Sequence, residues 1–481
     1  MMKERKRTNR RILIWVSGAG AIASAIGMSG CRGEQAPMNV IYILADDLGY
    51  GDLGCYGQQI IQTPHLDRMA AEGLLFTQHY SGAPVSAPSR CSLLTGLHTG
   101  HAQIRGNREV LPEGQAPMQA NTFTLGKLMQ SAGYATGMFG KWGLGYPGSE
   151  SVPNKMGFDH FFGYNCQRQS HTYFPTHLFR DESKIFFPEN ERNSQTTYSE
   201  QLIHQEALAF IRANKDRPFF AMLTYTLPHA ELNLPHDSIY HIYENRFKET
   251  PYIGKFDPVH GGYNTSRQPL ASYAAMVTLL DKYVGEVIDE LKKLGIDKRT
   301  IVIFTSDNGP HHEGGAQPEF FHSNGNLRGI KRDVYEGGIR VPMIAWCPGT
   351  IKEGKQTDQV SAFWDIMPTL AELTRQPLPV PTDGISLLPT LFSKGKQAEH
   401  PYLYWEFHEL NGREALRAGD WKLIRQPVVG STHTELYNLA DDPGETRDLS
   451  GSQPEKLMEL THLMHSARVP SPLFDFGREN K

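Results

Sequence analysis

Four short apolar segments of the chain each end in side chains that could do chemistry. In chain order these side chains are Asp46 with Asp47, Lys141, His229, and Asp307 with Asn308. Carboxylate and amide oxygens are hard donors, which suit Ca²⁺ or Mg²⁺ and not zinc. Three carboxylates packed together would also repel one another without a cation. The pattern therefore predicts an oxygen-only metal site, although Asp46 and Asp47 taken alone could simply cap a helix or turn.

The stretch PVSAPSRCSLLTG, residues 84–96, puts a serine where an anion could bind. Pro88 suits the first turn of a helix and Gly96 suits its end. Ser86 would then lie at the helix N-terminus, where free backbone N–H groups favour an anion, with Arg90 one turn further on the same face. Serine is a poor nucleophile unless a neighbouring base or a chemical modification activates it. The alternative interpretation is a serine cap and a surface arginine.

The segments that carry these side chains indicate strands of one sheet. Each is apolar without a break, as in a parallel strand that is buried on both faces. Helical patterns at residues 198–214 and 272–295 lead directly into two of them. The sequence therefore predicts an α/β fold with a mostly parallel central sheet, helices on both faces and ligands at the carboxyl ends of the strands. The four predicted strands cover residues 39–47, 134–143, 218–229 and 300–309.

The pattern changes after the proline-rich stretch QPLPVPTDG, which indicates a domain boundary. Residues 36–392 form the predicted α/β domain. Residues 393–481 contain short strands with turn residues between them, followed by a helical pattern near 454–467. We therefore predict a smaller C-terminal α+β domain with an antiparallel sheet.

Composition narrows the class of protein. The chain has 481 residues, of which 39% are hydrophobic and 21% are charged, and these values are typical of a globular protein. Its formal net charge is only −4. No bulk electrostatic attraction to nucleic acid follows from that charge, and we expect no nucleic-acid partner.

The first 31 residues indicate export. A basic start is followed by an apolar run of small residues and then by MSGC, which ends at Cys31. This pattern is typical of a signal peptide, and MSGC resembles a bacterial lipoprotein cleavage site. A plain amino-terminal membrane anchor is the alternative. We expect a periplasmic protein or an outer-membrane lipoprotein of a bacterium, in contact with the membrane only through a lipid on Cys31.

The motifs around these residues resemble one known family. Ser86-Ala87-Pro88-Ser89-Arg90, followed by LLTG, is similar to the signature of the bacterial serine-type members of the type I sulfatases, in the alkaline phosphatase superfamily. Six further stretches resemble the same family in the same order, from Asn39 to Leu449. They are ADDLGYGDLGCYG, GKWGLG, LPHAE, TSDNGPH, LRGIKRDVYEGGIRVP and LYNLADDPGETRDL. The resemblance implies an alkaline phosphatase-like fold and a sulfuric ester hydrolase.

The resemblance also implies a nucleophile and a cation. In that family the signature Ser or Cys is oxidised to formylglycine, so Ser86 would be a precursor, modified before export by a sulfatase-maturating enzyme. The hydrated aldehyde attacks sulfur. The resemblance implies Ca²⁺ as the cation, with Mg²⁺ as an alternative. Its implied ligands are Asp46, Asp47, Asp307, Asn308 and the modified Ser86.

The remaining roles follow from the resemblance as well. Arg90 is similar to the residue that stabilises the aldehyde hydrate. Lys141 and Lys331 resemble the pair that binds sulfate oxygens, and His229 resembles the acid that protonates the departing sugar oxygen. One position departs from the family, because many members have a histidine where this chain has Gly143. That histidine helps to regenerate the aldehyde. His98 and His101 are the candidates to substitute for it, and the alternatives are that they bind substrate or cap the helix.

The expected substrate is a sulfated saccharide of a glycan, with a galactose-type sugar as the candidate unit. Three stretches rich in aromatic, amide and basic residues are candidates for binding it, or are alternatively loop packing: residues 102–107, 167–177 and 405–413. Two other functions stay open. One is a phosphoesterase of the same superfamily that uses unmodified Ser86, and the other is a lipoprotein that binds sulfated glycans without cleaving them.

Overall fold

A large mixed sheet lies at the centre of the protein, whose computed structural model describes residues 37–257 and 260–476. Among these residues the sheet has eleven strands, in the order β10-β2-β9-β8-β1-β7-β3-β4-β5-β6, with β11 beside β2. The strands are β1 (Asn39–Asp46), β2 (Leu74–Tyr80), β3 (Ala135–Lys141), β4 (His160–Tyr164), β5 (His177–Arg180), β6 (Ser183–Phe186), β7 (Phe219–Pro228), β8 (Thr300–Ser306), β9 (Arg340–Trp346), β10 (Lys355–Thr357) and β11 (Ser361–Ala362).

Helices cover both faces of this sheet. Ile41 and Ile43 of β1 pack in one apolar core, while the alternate residues Val40 and Tyr42 pack in another. The α-helices of the described residues are α1 (Pro64–Ala71), α2 (Ser86–Thr95), α3 (Leu125–Ser131), α4 (Ser199–Ala213), α5 (Ser238–Tyr243), α6 (Pro269–Leu294), α7 (Pro318–Phe321), α8 (Glu336–Ile339), α9 (Ile366–Thr374), α10 (Leu388–Leu391) and α11 (Pro454–Ser466). Helices α4 and α6 contribute to the first core, and α2 and α3 to the second. The predicted α/β class is confirmed.

The four strands predicted from the sequence are neighbours in the sheet. Strand β1 pairs in parallel with β7 and with β8, and β7 pairs in parallel with β3. Their carboxyl ends therefore lie side by side at one edge. The pairing of β1 with β7 shifts between Leu44 and Asp46, so that Asp46 faces Pro228. This places Asp46 directly beside the residue that precedes His229.

A second, antiparallel sheet contains β12 (Leu403–Phe407), β13 (Arg413–Ala418), β14 (Trp421–Gln426) and β15 (His433–Asn438). Alternate residues of its strands face opposite ways, as the pleat of a strand requires. Ala415 packs in a core with Tyr80 of the large sheet, whereas Leu416 packs under Leu460 of α11. The predicted C-terminal antiparallel sheet and its helix are confirmed. The boundaries 36–392 and 393–481 stay a prediction, and the predicted signal peptide and Cys31 lie outside the described residues.

A buried group of charges joins the second sheet to α8. Lys422 of β14 lies 2.8 Å from Glu336 and 2.8 Å from Glu445, and all three side chains are fully buried. Burial acts to raise the pKa of Glu336, but the charges of Lys422, Arg340 and Arg417 together outweigh burial and lower it to about 2. Burial raises the pKa of Glu445 to about 7. Lys422 is therefore the cation that allows two carboxyl groups to be buried side by side.

Replacing this lysine should destabilise the fold. We expect Lys422→Met to lower the free energy of unfolding by about 3–5 kcal/mol, because it leaves Glu336 buried without its main counter-ion. Chemical denaturation monitored by circular dichroism measures the change. Lys456→Met is the matched control, since Lys456 pairs with Glu459 at the protein surface, and its effect should stay within about 0.5 kcal/mol. Equal effects of the two substitutions would contradict the assigned role of Lys422.

Candidate active site

Ser86 begins helix α2 at the carboxyl edge of the large sheet. Val85 before it is extended, and Gly96 ends the helix with a φ of 70°, so the helix predicted from PVSAPSRCSLLTG is confirmed. Ser86 is buried, and its Oγ donates a hydrogen bond to Asp46 Oδ1 at 3.0 Å. Lys141 Nζ donates to Ser86 Oγ at 3.2 Å and to Asp46 Oδ2 at 2.5 Å. The hydroxyl thus lies between a carboxylate and an ammonium group.

Arg90 holds two of the predicted metal ligands together. Its Nε and Nη2 both donate to Asp307 Oδ2, at 3.1 and 2.9 Å, and Nη2 also lies 3.3 Å from Asp46 Oδ2. Its Nη1 donates to the backbone carbonyl of Lys141 at 2.9 Å. Arg90 is 2% exposed, so the alternative of a surface arginine is wrong. Its guanidinium lies against carboxylates rather than against Ser86.

Asp47 and Asn308 form the second half of the carboxylate cluster. Asn308 Nδ2 donates to Asp47 Oδ1 at 2.7 Å, and Lys331 Nζ donates to Asp47 Oδ2 at 2.7 Å. Asp47 has a φ of 63°, which turns its carboxyl group out of line with β1 and toward Asn308. The residues predicted from four separate strand ends and from the distant Lys331 therefore meet in one place.

Three protein cations, Arg90, Lys141 and Lys331, contact the carboxylates. Burial acts to raise the pKa of Asp46, but Lys141, His229 and Arg90 together hold it well below its usual range. Burial, with the charge of Asp46, raises the pKa of Asp307 to about 6. The expectation that repulsion among these carboxylates demands a metal is therefore too strong, because protein side chains already offset much of it.

A different observation supports a metal cation bound by these carboxylates. Asn308 Oδ1 is buried and has no hydrogen-bond partner among the described residues, and such an atom normally has one. Asn308 bonds to Asp47 and follows Asp307 in the chain, Arg90 joins Asp307 to Asp46, and all three carboxylates are buried. Four oxygen-bearing side chains with one unsatisfied amide oxygen suit a hard divalent cation such as Ca²⁺ or Mg²⁺. The residues present therefore fit the metal that the sequence predicts.

His229 lies beside both Lys331 and Asp47. Its Nε2 is 3.2 Å from Lys331 Nζ and 3.4 Å from Asp47 Oδ2. Burial, and after it the charge of Lys331, lower the pKa of His229 to about 4. Its Nδ1 contacts the backbone carbonyl of Ala230, which fixes the ring and leaves Nε2 toward the cluster. Ser86, Lys141, His229 and Lys331 all line one cavity of about 280 Å³.

Two cavity residues that contact Lys331 and His229 were given no individual role by the sequence analysis. Glu313 accepts a hydrogen bond from Lys331 Nζ at 3.0 Å and forms an ion pair with Arg332 at 2.6 Å. Nothing near Glu313 in the sequence distinguishes it, since it lies well beyond Ser306, the last residue of β8. His171 stacks on His229 with 5.0 Å between ring centroids, and its Nδ1 is buried without a partner among the described residues. Its position within residues 167–177, a predicted substrate stretch, was the available signal.

The position of the missing histidine is covered by another side chain. Gly143 has a φ of 74°, and a Cβ built on it would lie 3.2 Å from Cγ of Gln167, which lines the cavity. The expectation that His98 or His101 substitutes is wrong. Both follow the C-terminus of α2, a ten-residue helix about 15 Å long, whereas Ser86 begins it. His101 Nδ1 instead contacts Asp383 at 2.9 Å, and neither ring lines the cavity.

Two of the three stretches predicted to bind substrate line the cavity, and the third does not. Asn107 from residues 102–107, and Gln167, Arg168 and His171 from residues 167–177, line the cavity. The third stretch, residues 405–413, does not line it. There Trp405 is buried and donates to the carbonyl of Ser81 at 2.9 Å, as packing residues do.

The fold alone does not decide the chemistry of this cavity. The structure of a phosphonate monoester hydrolase of Agrobacterium radiobacter has a similar fold. It matches with a TM-score of 0.65 at 18% identity, over 89% of this chain and 95% of that chain. The structure of Ps i-CgsB in complex with k-i-k-neocarrahexaose matches with a TM-score of 0.73 at 27% identity, over 90% of this chain and 92% of that chain.

Sequence comparison identifies the family to which the protein belongs. Residues 38–376 match the family described as Sulfatase, and residues 330–468 match the one described as N-sulphoglucosamine sulphohydrolase, C-terminal. The chain is 33% identical to N-acetylgalactosamine-6-sulfatase of Mus musculus, covering 89% of this chain and 85% of the relative. It is 29% identical to N-acetylgalactosamine-6-O-sulfatase of Bacteroides thetaiotaomicron, covering 91% and 94%. The chain therefore belongs to the sulfatase family and is a sulfuric ester hydrolase.

Proposed function

We propose that the protein removes a sulfate ester from a galactose-type sugar of a glycan, with N-acetylgalactosamine 6-sulfate as the first candidate unit. The carrying observation is the cavity in which Ser86, two lysines and His229 meet. The relatives named for N-acetylgalactosamine 6-sulfate support the choice of sugar. A sulfate group would lie between Lys141 and Lys331, with the sugar toward Asn107 and His171.

Within this proposal Ser86 is the precursor of formylglycine, made by a sulfatase-maturating enzyme before export. The hydrated aldehyde supplies the oxygen that attacks sulfur. Asp46, Asp47, Asp307 and Asn308, with the modified Ser86, would hold Ca²⁺, or Mg²⁺ in its place, and the bound cation would make that oxygen more acidic. Arg90 keeps Asp46 and Asp307 in position through the contacts described above.

The chain's own cations would bind the sulfate group. Burial lowers the pKa of Lys331, but Asp47 and Glu313 together outweigh burial and raise it above its usual value. Lys331 is therefore charged whenever the cavity is empty. Lys141 lies on the other side of Asp46, within reach of Ser86 Oγ. Two fixed ammonium groups aimed at one site stabilise the negative charge that grows as the S–O bond breaks.

His229 is the proposed acid for the departing sugar oxygen. Its ring is neutral near pH 7 because its pKa is about 4 in this state. Burial is the main cause of this low pKa and the charge of Lys331 is the second, so a sulfate ester bound at Lys331 would offset the second cause and shift the pKa upward. Nε2 then carries the proton toward the sugar oxygen.

We expect His229→Ala to slow sulfate release from a sugar about 10²–10⁴-fold and release from 4-nitrophenyl sulfate far less. A phenolate leaves without a proton, whereas a sugar alkoxide does not. The measurement is kcat for both esters with the same preparation. His241→Ala, on an exposed histidine of α5, is the control and should change neither rate. Equal losses for both esters in His229→Ala would remove His229 from this role.

A panel of esters tests the proposed substrate. Release of sulfate from N-acetylgalactosamine 6-sulfate and galactose 6-sulfate is compared with release of phosphate from the matched 6-phosphates. We expect sulfate release only. Faster phosphate release would favour the phosphoesterase, and binding of the sulfated sugar without release would favour the binding lipoprotein.

We also propose that the protein is exported and anchored in a bacterial outer membrane by a lipid on Cys31, a residue outside the described range. None of the described helices is long and apolar enough to cross a membrane. Incorporation of radiolabelled palmitate into the wild-type chain but not into Cys31→Ser tests the anchor. Equal labelling of both chains would contradict it.

A further inference from the structure

A second cavity adjoins the active site and has no part in the chemistry above. This side cavity has a volume of about 720 Å³, against about 280 Å³ for the active-site cavity. Arg168 lines both. The volume lies in the range of sites that bind small molecules, and a sulfated monosaccharide in the active site would leave the side cavity empty.

Three chain segments separate the two cavities and contribute to both. Residues 109–115 line the active site through Glu109 and Gln115 and the side cavity through Pro112 and Glu113. Residues 166–172 and 260–264 likewise have members on each side. The side cavity therefore lies directly beyond the wall of the active site, where the next unit of a glycan would go.

The walls of the side cavity combine apolar rings with positive charge. Phe174 and Phe256 line it, and aromatic rings suit the apolar faces of sugars. Its charged side chains are Arg168, Lys184, Lys255 and one carboxylate, Glu113. Glu113 is already bound by Lys184 at 2.7 Å and by His177 at 2.8 Å.

Lys255 is the cation of this cavity that is available to a ligand. Its side chain is exposed, and among residues 37–257 and 260–476 it has no ion pair or side-chain hydrogen bond, whereas Lys184 is engaged by Glu113. An exposed ammonium group that lines a cavity with aromatic walls can bind a carboxylate or sulfate placed on a sugar ring.

We infer that the side cavity binds the neighbouring sugar of the same glycan and that this neighbour carries an anionic group held by Lys255. The inference rests on the proposed function for the sugar in the active site. It makes the substrate an anionic oligosaccharide rather than a free monosaccharide. Because Lys255 does not touch the reacting atoms, its contribution is to substrate binding.

The test compares three esters in wild type and in Lys255→Gln. They are N-acetylgalactosamine 6-sulfate, its disaccharide with a hexuronic acid, and the same disaccharide with the uronic acid reduced to a neutral hexose. We expect wild type to have a kcat/KM at least about 10-fold higher for the anionic disaccharide than for the other two. Lys255→Gln should lose that preference through KM and keep its kcat and its rate with the monosaccharide.

Lys352→Gln is the matched control, because Lys352 is an exposed lysine that lines a separate cavity with Glu353 and Lys355. It should keep the preference. Equal kcat/KM values for all three esters in wild type would overturn the inference, as would a preference that survives in Lys255→Gln.

Binding separates this inference from the proposed function. Titration calorimetry with Ser86→Ala and the same three sugars requires no turnover. We expect the anionic disaccharide to bind at least about 10-fold more tightly than the neutral one, and the difference to vanish in the double variant with Lys255→Gln. This result supports the side cavity even if sulfate release fails. Equal affinities overturn the inference whether or not the sugars are cleaved.

Discussion

Ser86→Ala is expected to abolish sulfate release, with kcat/KM lowered at least about 10⁴-fold, the scale on which loss of a nucleophile acts. The Ser86 hydroxyl lies between Asp46 Oδ1 at 3.0 Å and Lys141 Nζ at 3.2 Å, at the N-terminus of α2. No other hydroxyl of α2 lines the cavity among the described residues. The substitution removes one oxygen from a buried position, so the fold should persist.

The measurement is sulfate release, combined with the mass of the peptide that contains Ser86. Conversion to formylglycine removes two hydrogens, so active wild type should show a loss of about 2 mass units at this residue. Ser92→Ala is the control. Ser92 lies on the same helix as Ser86, and its Oγ donates to the carbonyl of Leu97 beyond the helix end, so its loss should cost only about 1 kcal/mol of stability. Sulfate release by wild type with intact Ser86 would contradict formylglycine as the nucleophile.

Asp307→Asn is expected to lower kcat/KM about 10³-fold, since a metal ion contributes several kcal/mol to the transition state. The variant keeps the shape of the side chain but loses the charge that Arg90 contacts twice. Added Ca²⁺ should not restore the activity of this variant. Treatment of wild type with a chelator should cause a similar loss, which Ca²⁺ should reverse.

Calcium affinity measured by titration calorimetry accompanies these assays, so that loss of the ion is seen directly. Asp52→Asn is the control. Asp52 is also a buried carboxyl group, but burial raises its pKa to about 7, and its Oδ2 accepts hydrogen bonds from Gly49 N and Tyr273 Oη. An amide oxygen can accept both, so activity and calcium affinity should stay near wild type. Full activity in metal-free wild type would remove the cation from the mechanism.

The sequence by itself predicted which strand ends carry the site. Asp46, Lys141, His229 and Asp307 each follow a run of apolar residues, and such runs form parallel strands whose carboxyl ends meet. The helix from Ser86 to Thr95 was predictable for a local reason, since proline fixes φ in its first turn and Gly96 allows the positive φ that ends it. Lys331 was the exception, because only the family resemblance singled it out.

Contacts between distant segments were decided by the tertiary structure. Nothing local marks Glu313 as a partner of Lys331, or Asp307 as the group that Arg90 binds. The side chain that covers Gly143 is Gln167, and the ring that faces His229 is His171. His98 and His101 were wrong for the same reason, since closeness in sequence to Ser86 put them at the opposite end of a rigid helix.

The sequence thus determined the elements, the order of the strand-end residues and the class of chemistry, because backbone preference and burial act over a few neighbouring residues. The tertiary structure decided which charges neutralise one another and where the cavities lie. These features depend on side chains brought together by long-range packing, as when Lys331 reaches Asp47 across 284 positions of the chain. Distances of a few ångströms between such groups set their pKa values and decide which groups are in contact. No local sequence pattern encodes these distances.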